Sequence, residues 1–301
     1  MKLFLKKILW FSLLVLGLLF IGELVVRSIE TPYRYKADWL RENGDKVKIL
    51  VLGSSHTYYG IIPSVLGDSV FNLANISQTP EYDLALLKTF HSDMPNLETV
   101  IVPISYFTFR DPALEDMDHG LCVQYKVGMG LPLHSDFSLY NLCITDFKSY
   151  AGRLRNLIMP QELNICDTLG FGLGFDLAHR EPNWKEKAVD RAHDLTQILP
   201  GRPEKVENVI KELVSYCKEK NIELIFITTP VITEFSSAID RKQYEEMREK
   251  IRGLRENCNM KYYDFFMSDN FKDEDFHDSD HLSDIGARKL SLMLRDSLSI
   301  Q

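Results

Sequence analysis

The stretch Lys48-Ile-Leu-Val-Leu-Gly-Ser-Ser-His-Thr57 decides how the rest of this chain can fold. Residues 49–52 form a short, wholly apolar run, which predicts a buried strand that stops at Gly53. Glycine permits a backbone conformation or a close approach that a side chain would block. Open α/β sheets place ligands and nucleophiles at the carboxyl ends of such strands, so Ser55 is a candidate nucleophile. Gly-Ser-Ser is also common in ordinary turns, and residues at the far end of the chain must decide between the two interpretations.

Strand and helix patterns alternate along the chain after this first strand. Apolar, β-branched runs predict five strands, at 47–52, 69–73, 98–104, 223–230 and 262–266. Helical patterns fall between or after them, at 80–90, 203–220, 241–257 and 283–299. Strand–helix–strand alternation is the signature of βαβ units. We therefore predict the α/β class, with a mostly parallel five-stranded sheet.

The N-terminus carries an almost continuously apolar run at 8–26. As a helix this run is about 28 Å long, close to the roughly 30 Å of a bilayer core. Lys2, Lys6 and Lys7 precede it, which predicts a cytoplasmic N-terminus and an extracytoplasmic remainder, periplasmic or at the cell surface. No small-x-small cleavage site follows, so we expect residues 1–27 to be an uncleaved signal anchor. A buried N-terminal helix of a cytosolic protein is the remaining alternative.

The other domain boundaries follow from composition. Residues 28–46 are polar and predict a juxtamembrane linker with room for one short amphipathic helix. Residues 47–301 form the predicted α/β domain, interrupted at about 110–200 by a stretch rich in Gly and Pro. That stretch is too long for a plain loop, and we interpret it as an insertion over the sheet rather than a second domain.

Charge and cysteine content exclude several classes of protein. The formal net charge of −8 argues against nucleic acid as a partner, because phosphate binding needs a basic face. The five cysteines form neither a C-x-x-C pair nor a zinc-type cluster, and they lie at positions 122, 143, 166, 217 and 258. We predict no metal and no cofactor.

A second chemical motif lies just before the last predicted helix, in Phe276-His-Asp-Ser-Asp-His-Leu-Ser283. Asp278 and His281 are three residues apart, so the carboxylate and the imidazole fall on one side of a turn. An acid that orients a histidine base is what a nucleophilic serine requires. This spacing favours Ser55 as the nucleophile, His281 as the base and Asp278 as the acid. We interpret Asp280 as a solvated carboxylate, and Ser283 as an N-cap of the last helix.

These two motifs together resemble the first and last blocks of the SGNH (GDSL-like) hydrolase superfamily. Gly53-Ser54-Ser55 is similar to its nucleophile block, and Asp278-x-x-His281 is similar to its acid–base block. The resemblance implies a three-layer, flavodoxin-like sandwich and a Ser55–His281–Asp278 triad. The wider phrases are similar to a membrane-anchored branch related to cell-envelope polysaccharide O-acyltransferases and esterases, including alginate O-acetyltransferase relatives.

The sequence departs from the family pattern at three places. Ser54 stands where the family has Asp, Asn75 lies near the place of an oxyanion-binding Gly, and Ser105 lies near the place of the Gly-x-Asn-Asp block. We therefore predict that Asn75 and Ser105 contribute to the oxyanion hole. His56 either contacts substrate or is a hydrogen-bonded structural histidine.

The resemblance implies a membrane-anchored serine esterase or O-acyltransferase whose partner is an acylated glycan or another ester. Envelope-assembly proteins are further possible partners. The alternative is a catalytically silent glycan-binding or scaffold subunit of an envelope polysaccharide assembly, which the altered oxyanion blocks favour and the intact Ser/His/Asp set opposes.

Overall fold

The computed structural model of the protein describes residues 1–132, 142–145, 147–158, 166–196, 202–257 and 260–298. Three parts of the predictions lie outside these residues: Cys258, the end of the last helix at Ser299, and parts of the 110–200 stretch. The chain divides into two units. One comprises Met1–Ala37 with Glu115–Leu163, and the other comprises Asp38–Leu114 with Asn164–Gln301.

The second unit contains the predicted sheet. Its strands are β1 (Ile49–Val51), β2 (Val70–Asn72), β3 (Thr99–Pro103), β4 (Glu223–Thr228) and β5 (Lys261–Asp264). Their order is β2-β1-β3-β4-β5, and each neighbouring pair is parallel. The α/β class and the parallel five-stranded sheet are confirmed, and this strand order is the flavodoxin-like one.

The helices of the chain are largely those that the periodicity predicts. Four long ones match the predicted segments: α5 (Pro80–Phe90), α10 (Pro203–Glu219), α12 (Arg241–Asn257) and α13 (Asp284–Leu298). The other α-helices within the described residues are α1 (Lys2–Ser28), α2 (Pro32–Asn43), α3 (Ser55–Tyr58), α4 (Pro63–Leu66), α6 (Leu114–Met117), α7 (His119–Val123), α8 (Phe147–Ile158), α9 (Ala188–Thr196) and α11 (Thr233–Ala238). A π-helical turn follows α7.

The helices of the second unit cover both faces of the sheet. Parallel crossovers are right-handed, so the reversal of strand order at β1 puts the β1–β2 and β2–β3 connections on opposite faces. The contacts agree with this, because α5 packs on α10 while α13 packs on α4. The sheet therefore lies between two helical layers, as the three-layer prediction requires.

The first strand is buried on both sides. Leu50, Val51 and Leu52 are fully inaccessible to solvent, and burying a side chain of this kind contributes about 1.5–3 kcal/mol. A strand covered on both faces needs no polar alternation. The continuous apolar run in the sequence therefore has a direct physical cause, and it fixes where the following Gly-Ser-Ser turn begins.

The first unit is built around the apolar helix α1. An 18-residue window of α1 has a mean hydropathy of 2.4, and by length and composition this helix can cross a membrane. Near its end, Glu23 accepts hydrogen bonds from the Cys143 and Ile144 backbone N–H groups, at 2.9 and 3.0 Å, and from Arg27 Nε at 2.7 Å. Glu23 is buried by these contacts, so its carboxylate is neutralised by donors from its own unit.

Candidate active site

Ser55 lies at the start of a short helix that follows β1. Gly53 makes the turn with a φ of +109°, in the left-handed region that favours glycine. A Cβ on Gly53 would meet the ring of Pro103 and lie 2.8 Å from Thr57 Oγ1. The turn is closed by Thr57, whose hydroxyl donates to Leu52 O at 2.7 Å. The predicted glycine requirement is confirmed, and Ser55 becomes the first residue of α3.

His281 and Asp278 are held together by a tight local turn. Asp278 Oδ1 accepts the backbone N–H groups of Asp280 and His281, at 3.0 and 2.8 Å. This is the Asx-type turn that a short carboxylate side chain forms. Ser283 ends the turn, and its hydroxyl accepts the Gly286 N–H at 3.3 Å, as expected of an N-cap.

The structure brings the three predicted catalytic side chains into one hydrogen-bonded series. Ser55 Oγ lies 2.8 Å from His281 Nε2, and His281 Nδ1 lies 2.9 and 3.0 Å from the two carboxylate oxygens of Asp278. Ser55 and His281 are 226 positions apart in the chain. With Nδ1–H donating to the carboxylate, Nε2 is free to accept a proton from the serine hydroxyl.

Burial and charge shift the pKa values of this pair in opposite directions. Burial lowers the pKa of His281, but the carboxylates of Asp280 and Asp278 outweigh it and leave that pKa above its usual value. Burial raises the pKa of Asp278, but the charge and hydrogen bond of His281 outweigh it and leave that pKa below its usual value. Both shifts favour an imidazolium–carboxylate pair over two neutral groups.

His56 lies against the other side of the His281 ring. The two imidazoles stack with centroids 4.8 Å apart and planes inclined by 11°. His56 Nδ1 is 3.2 Å from Ser54 Oγ, and His56 Nε2 is 3.5 Å from Asp280 Oδ2. Burial lowers the pKa of His56, and the hydrogen bond to Asp280 opposes this in part. Both ring nitrogens therefore face groups of the protein.

The two residues predicted for the oxyanion hole, Asn75 and Ser105, already have hydrogen-bond partners. Asn75 Nδ2 donates to Leu73 O and to Gln78 Oε1, each at 3.2 Å, and the Asn75 backbone N–H donates to Gly53 O at 3.0 Å. Ser105 is almost buried, and its backbone N–H donates to Thr108 Oγ1 at 2.9 Å. The oxyanion assignment of Asn75 therefore requires an amide hydrogen to leave its present acceptor.

The buried carboxylate of Asp83, on α5, stabilises the turn at Gly53 by accepting hydrogen bonds. Asp83 Oδ1 accepts the Gly53 N–H at 2.8 Å and Gln78 Nε2 at 2.6 Å. Gln78 in turn accepts from Asn75, so the loops after β1 and β2 are joined through one carboxylate oxygen. Burial raises the pKa of Asp83 to about 7. The sequence analysis missed this residue, because no local pattern connects it with Gly53.

The sequence interpretation of Asp280 as a solvated carboxylate is wrong. The residue is 2% exposed, and its Oδ2 lies 3.3 Å from both Nε and Nη2 of Arg191 on α9. The carboxylate at the position directly before His281 is a signal that the sequence does contain for Asp280. No signal in the sequence connected Arg191 with the site.

Three side chains in this site have the type and spacing of metal ligands: His56, Asp280 and His281. One potential ligand atom from each lies within 4.8 Å of the others. The potential ligand atoms of these residues, however, already lie against other groups of the protein. Arg191 carries a positive charge against Asp280 Oδ2, and a guanidinium there disfavours a second cation. We assign none of the three as a metal ligand.

The fold and the site define an α/β protein in which a serine, a histidine and an aspartate are hydrogen-bonded in series beyond the carboxyl end of β1. No protein-family profile matches this chain, and no curated protein matches it either. Eight chains of solved structures match it, and two of them are described below.

One of these structures is a protein of Bacteroides fragilis NCTC 9343 that has been proposed to be an acylhydrolase. It is 10% identical over 83% of this chain and 85% of its own, with a TM-score of 0.40. The other is a protein of Streptococcus pneumoniae that has been proposed to be a platelet activating factor. It is 11% identical over 95% of this chain and 97% of its own, with a TM-score of 0.42.

Proposed function

We propose that this protein is a serine esterase or O-acyltransferase of SGNH type that acts on ester-linked acyl groups. The observation that carries the proposal is the unbroken series from Ser55 Oγ through the His281 ring to Asp278, with links of 2.8 and 2.9 Å. Nucleophile, base and orienting acid within hydrogen-bond reach are what nucleophilic catalysis by serine requires. The resemblance of both sequence motifs to SGNH hydrolases supports the same assignment.

In this mechanism, Ser55 Oγ attacks the ester carbonyl while His281 Nε2 removes the hydroxyl proton. The C–O bond to the leaving alcohol then breaks, and the imidazolium returns the proton to that alcohol. Asp278 keeps His281 Nδ1 protonated and stabilises the imidazolium. Water, or the hydroxyl group of a glycan, then attacks the acyl-enzyme with His281 as base and releases Ser55.

The developing oxyanion needs donors beside Ser55. The Ser55 backbone N–H is in the first turn of α3, and it has no intramolecular acceptor within the described part of the chain. We assign this N–H as the first donor, with Asn75 and Ser105 as the candidates for further donors. Losing one such donor costs about 10²–10³ in rate, so a hole with a single preset donor would be a slow one.

The substrate class and the location follow from the apolar helix and from the family resemblance. Helix α1 serves as a signal anchor in this proposal, with the N-terminus in the cytoplasm and the catalytic unit outside. An envelope or exported polysaccharide carrying acyl groups is then the substrate within reach. Transfer and hydrolysis use the same three residues, so the acceptor must be identified by experiment.

The test uses the full chain in detergent, treated with a fluorophosphonate probe and with p-nitrophenyl acetate. We expect labelling and turnover in the wild type, and loss of both in Ser55→Ala and His281→Ala. Ser54→Ala is the matched control, because Ser54 is the neighbouring serine and its hydroxyl faces His56 instead. It should retain labelling.

The absence of labelling in a well-folded wild type would reject the enzyme and favour the glycan-binding or scaffold alternative. If labelling occurs, incubation with an acylated polysaccharide separates the two reactions. Release of free acid identifies an esterase, whereas transfer of the acyl group to an added glycan identifies an O-acyltransferase.

A further inference from the structure

Asp280 is a second carboxylate beside His281 that the proposed triad does not use. Its side chain is 3% exposed, whereas the Asp278 side chain is 37% exposed. Asp280 Oδ1 lies 3.7 Å from His281 Nδ1, which is too far for a hydrogen bond. The charge therefore acts on the ring through a medium with little screening, without competing for the Nδ1–H that Asp278 accepts.

The other oxygen of Asp280 ties three elements together. Oδ2 lies 3.3 Å from Arg191 Nε and Nη2 on α9, and 3.5 Å from His56 Nε2 on α3. The His56 ring is in turn stacked on the His281 ring. The Asp280 carboxylate thus orients the His56 ring, which packs on His281. Its negative charge also acts directly on His281.

The charges explain what this arrangement does for the base. Among the described residues, the charged groups that face His281 are Asp278 and Asp280 on its own loop and Arg191 on α9, with the His56 ring from α3. With His281 neutral and His56 neutral, their charges sum to −1, and protonation of His281 brings the sum to zero. Without Asp280 the same step would create a net positive charge in a buried site, which is unfavourable.

Arg191 has the complementary role of holding Asp280 in place, and it is one of several groups that keep Asp280 ionised. Burial raises the pKa of Asp280, but the positive charges of His281 and Arg191 and the His56 hydrogen bond outweigh it and leave that pKa well below its usual value. Arg191 itself is 43% exposed at the side chain, so one side of this ion pair faces solvent and can be changed without opening the core.

We propose that Asp280, held in place by Arg191, is a positioning residue that stabilises the imidazolium form of His281 and fixes the His56 ring against it. The inference rests on the proposed function, since it assigns a role in the same reaction. It also gives a role to α9, which belongs to the 110–200 stretch that no sequence motif covers.

The test compares Asp280→Asn and Arg191→Gln with Asp190→Asn, an exposed neighbour of Arg191, all in the full chain. We measure kcat/KM for p-nitrophenyl acetate against pH. Asp280→Asn should lower kcat/KM about 10-fold or more, less than the ~10²–10⁴ that a general base supplies. Its acid limb should move to lower pH, because the imidazolium loses an attracting charge. In Arg191→Gln the limb should move to higher pH, because a repelling charge is removed.

Opposite shifts in the two variants, with no shift in Asp190→Asn, are the expected result. General damage to the fold cannot move the limb in two directions. Limbs that coincide with the control in both variants would overturn the inference and leave Asp280 a structural ion-pair residue. If Asp280→Asn does not fold, Asp280→Glu replaces it: this variant keeps the charge and should keep the acid limb near that of the wild type, whereas a limb at lower pH would overturn the inference.

A second measurement separates this inference from the proposed function. The His281 ring is titrated by NMR with labelled histidine in the Ser55→Ala background, where no turnover is needed. If the wild type shows no esterase activity but the ring titration shifts as described, the proposed function fails while the electrostatic role of Asp280 stands. If activity is present and the titration does not shift, the inference alone fails.

Discussion

Replacing Asp83 by Asn tests how the buried carboxylate on α5 affects the stability of the unit that contains the sheet. Both the Gly53 N–H and Gln78 Nε2 donate to one oxygen, Asp83 Oδ1. An asparagine retains a carbonyl oxygen there, so both hydrogen bonds can persist. What the substitution removes is the ionisable group, and with it the cost of holding a buried negative charge.

The magnitude follows from the pKa. Burial raises the pKa of Asp83 from 3.8 to about 7, and each pKa unit corresponds to about 1.4 kcal/mol. In the unfolded chain the carboxyl loses its proton at lower pH than in the folded one. The free energy of unfolding therefore falls as pH rises from about 4 to about 7, by about 4 kcal/mol in all. The Asp83→Asn variant has no carboxyl group at this position, so this decrease in the free energy of unfolding does not occur in it.

Urea unfolding of the full chain in detergent measures the effect, with fluorescence of Trp39, which stacks on Phe71 of β2, as the probe. We expect Asp83→Asn to gain stability relative to wild type as pH rises, with the difference constant above about pH 8. Asp68→Asn, an exposed carboxylate replaced in the same unit, is the control. Stability curves of Asp83→Asn and wild type that run parallel across this pH range would refute the reasoning.

Two further predictions concern the turn and the base. Gly53→Ala should lower the free energy of unfolding by about 1–3 kcal/mol, because the φ of +109° is strained for alanine and its Cβ meets Pro103; urea unfolding checks this, and an unchanged midpoint would contradict it. If the proposed mechanism holds, the acid limb of the wild-type kcat/KM profile should lie at higher pH than for an ordinary histidine, because neutral His281 is the active form and its pKa is raised. Asp278→Asn should move that limb to lower pH and reduce kcat/KM by about 10²-fold or more, and a pH–rate profile that keeps its limb would contradict the assigned role.

Local sequence patterns predicted most of the fold. The apolar run at 49–52 predicted a buried strand because a strand covered on both faces has no polar side, and the periodicity of 203–220 predicted an amphipathic helix. Gly53 was predicted from its place at the end of the strand. These features depend on neighbouring residues, so the sequence contains them directly.

The candidate site was predictable only in part. Asp278 and His281 share one turn, and their spacing is visible in the chain. Asp280 was misinterpreted as solvated, because burial depends on α9 and α3 packing over the loop. Asp83 and Arg191 were missed, since each meets the site through a contact between residues far apart in sequence.

By itself, the sequence determined the order of strands and helices, the apolar length of α1, and the residue types available for chemistry. Hydrophobic periodicity and turn geometry act over a few residues, which is why they can be read locally. The tertiary structure alone decided that Ser55 meets His281 across 226 positions, and that Asp280 and Asp83 are withdrawn from water. Those outcomes depend on how separate elements pack, because the dielectric environment and partners of a charged group are set by every segment that surrounds it.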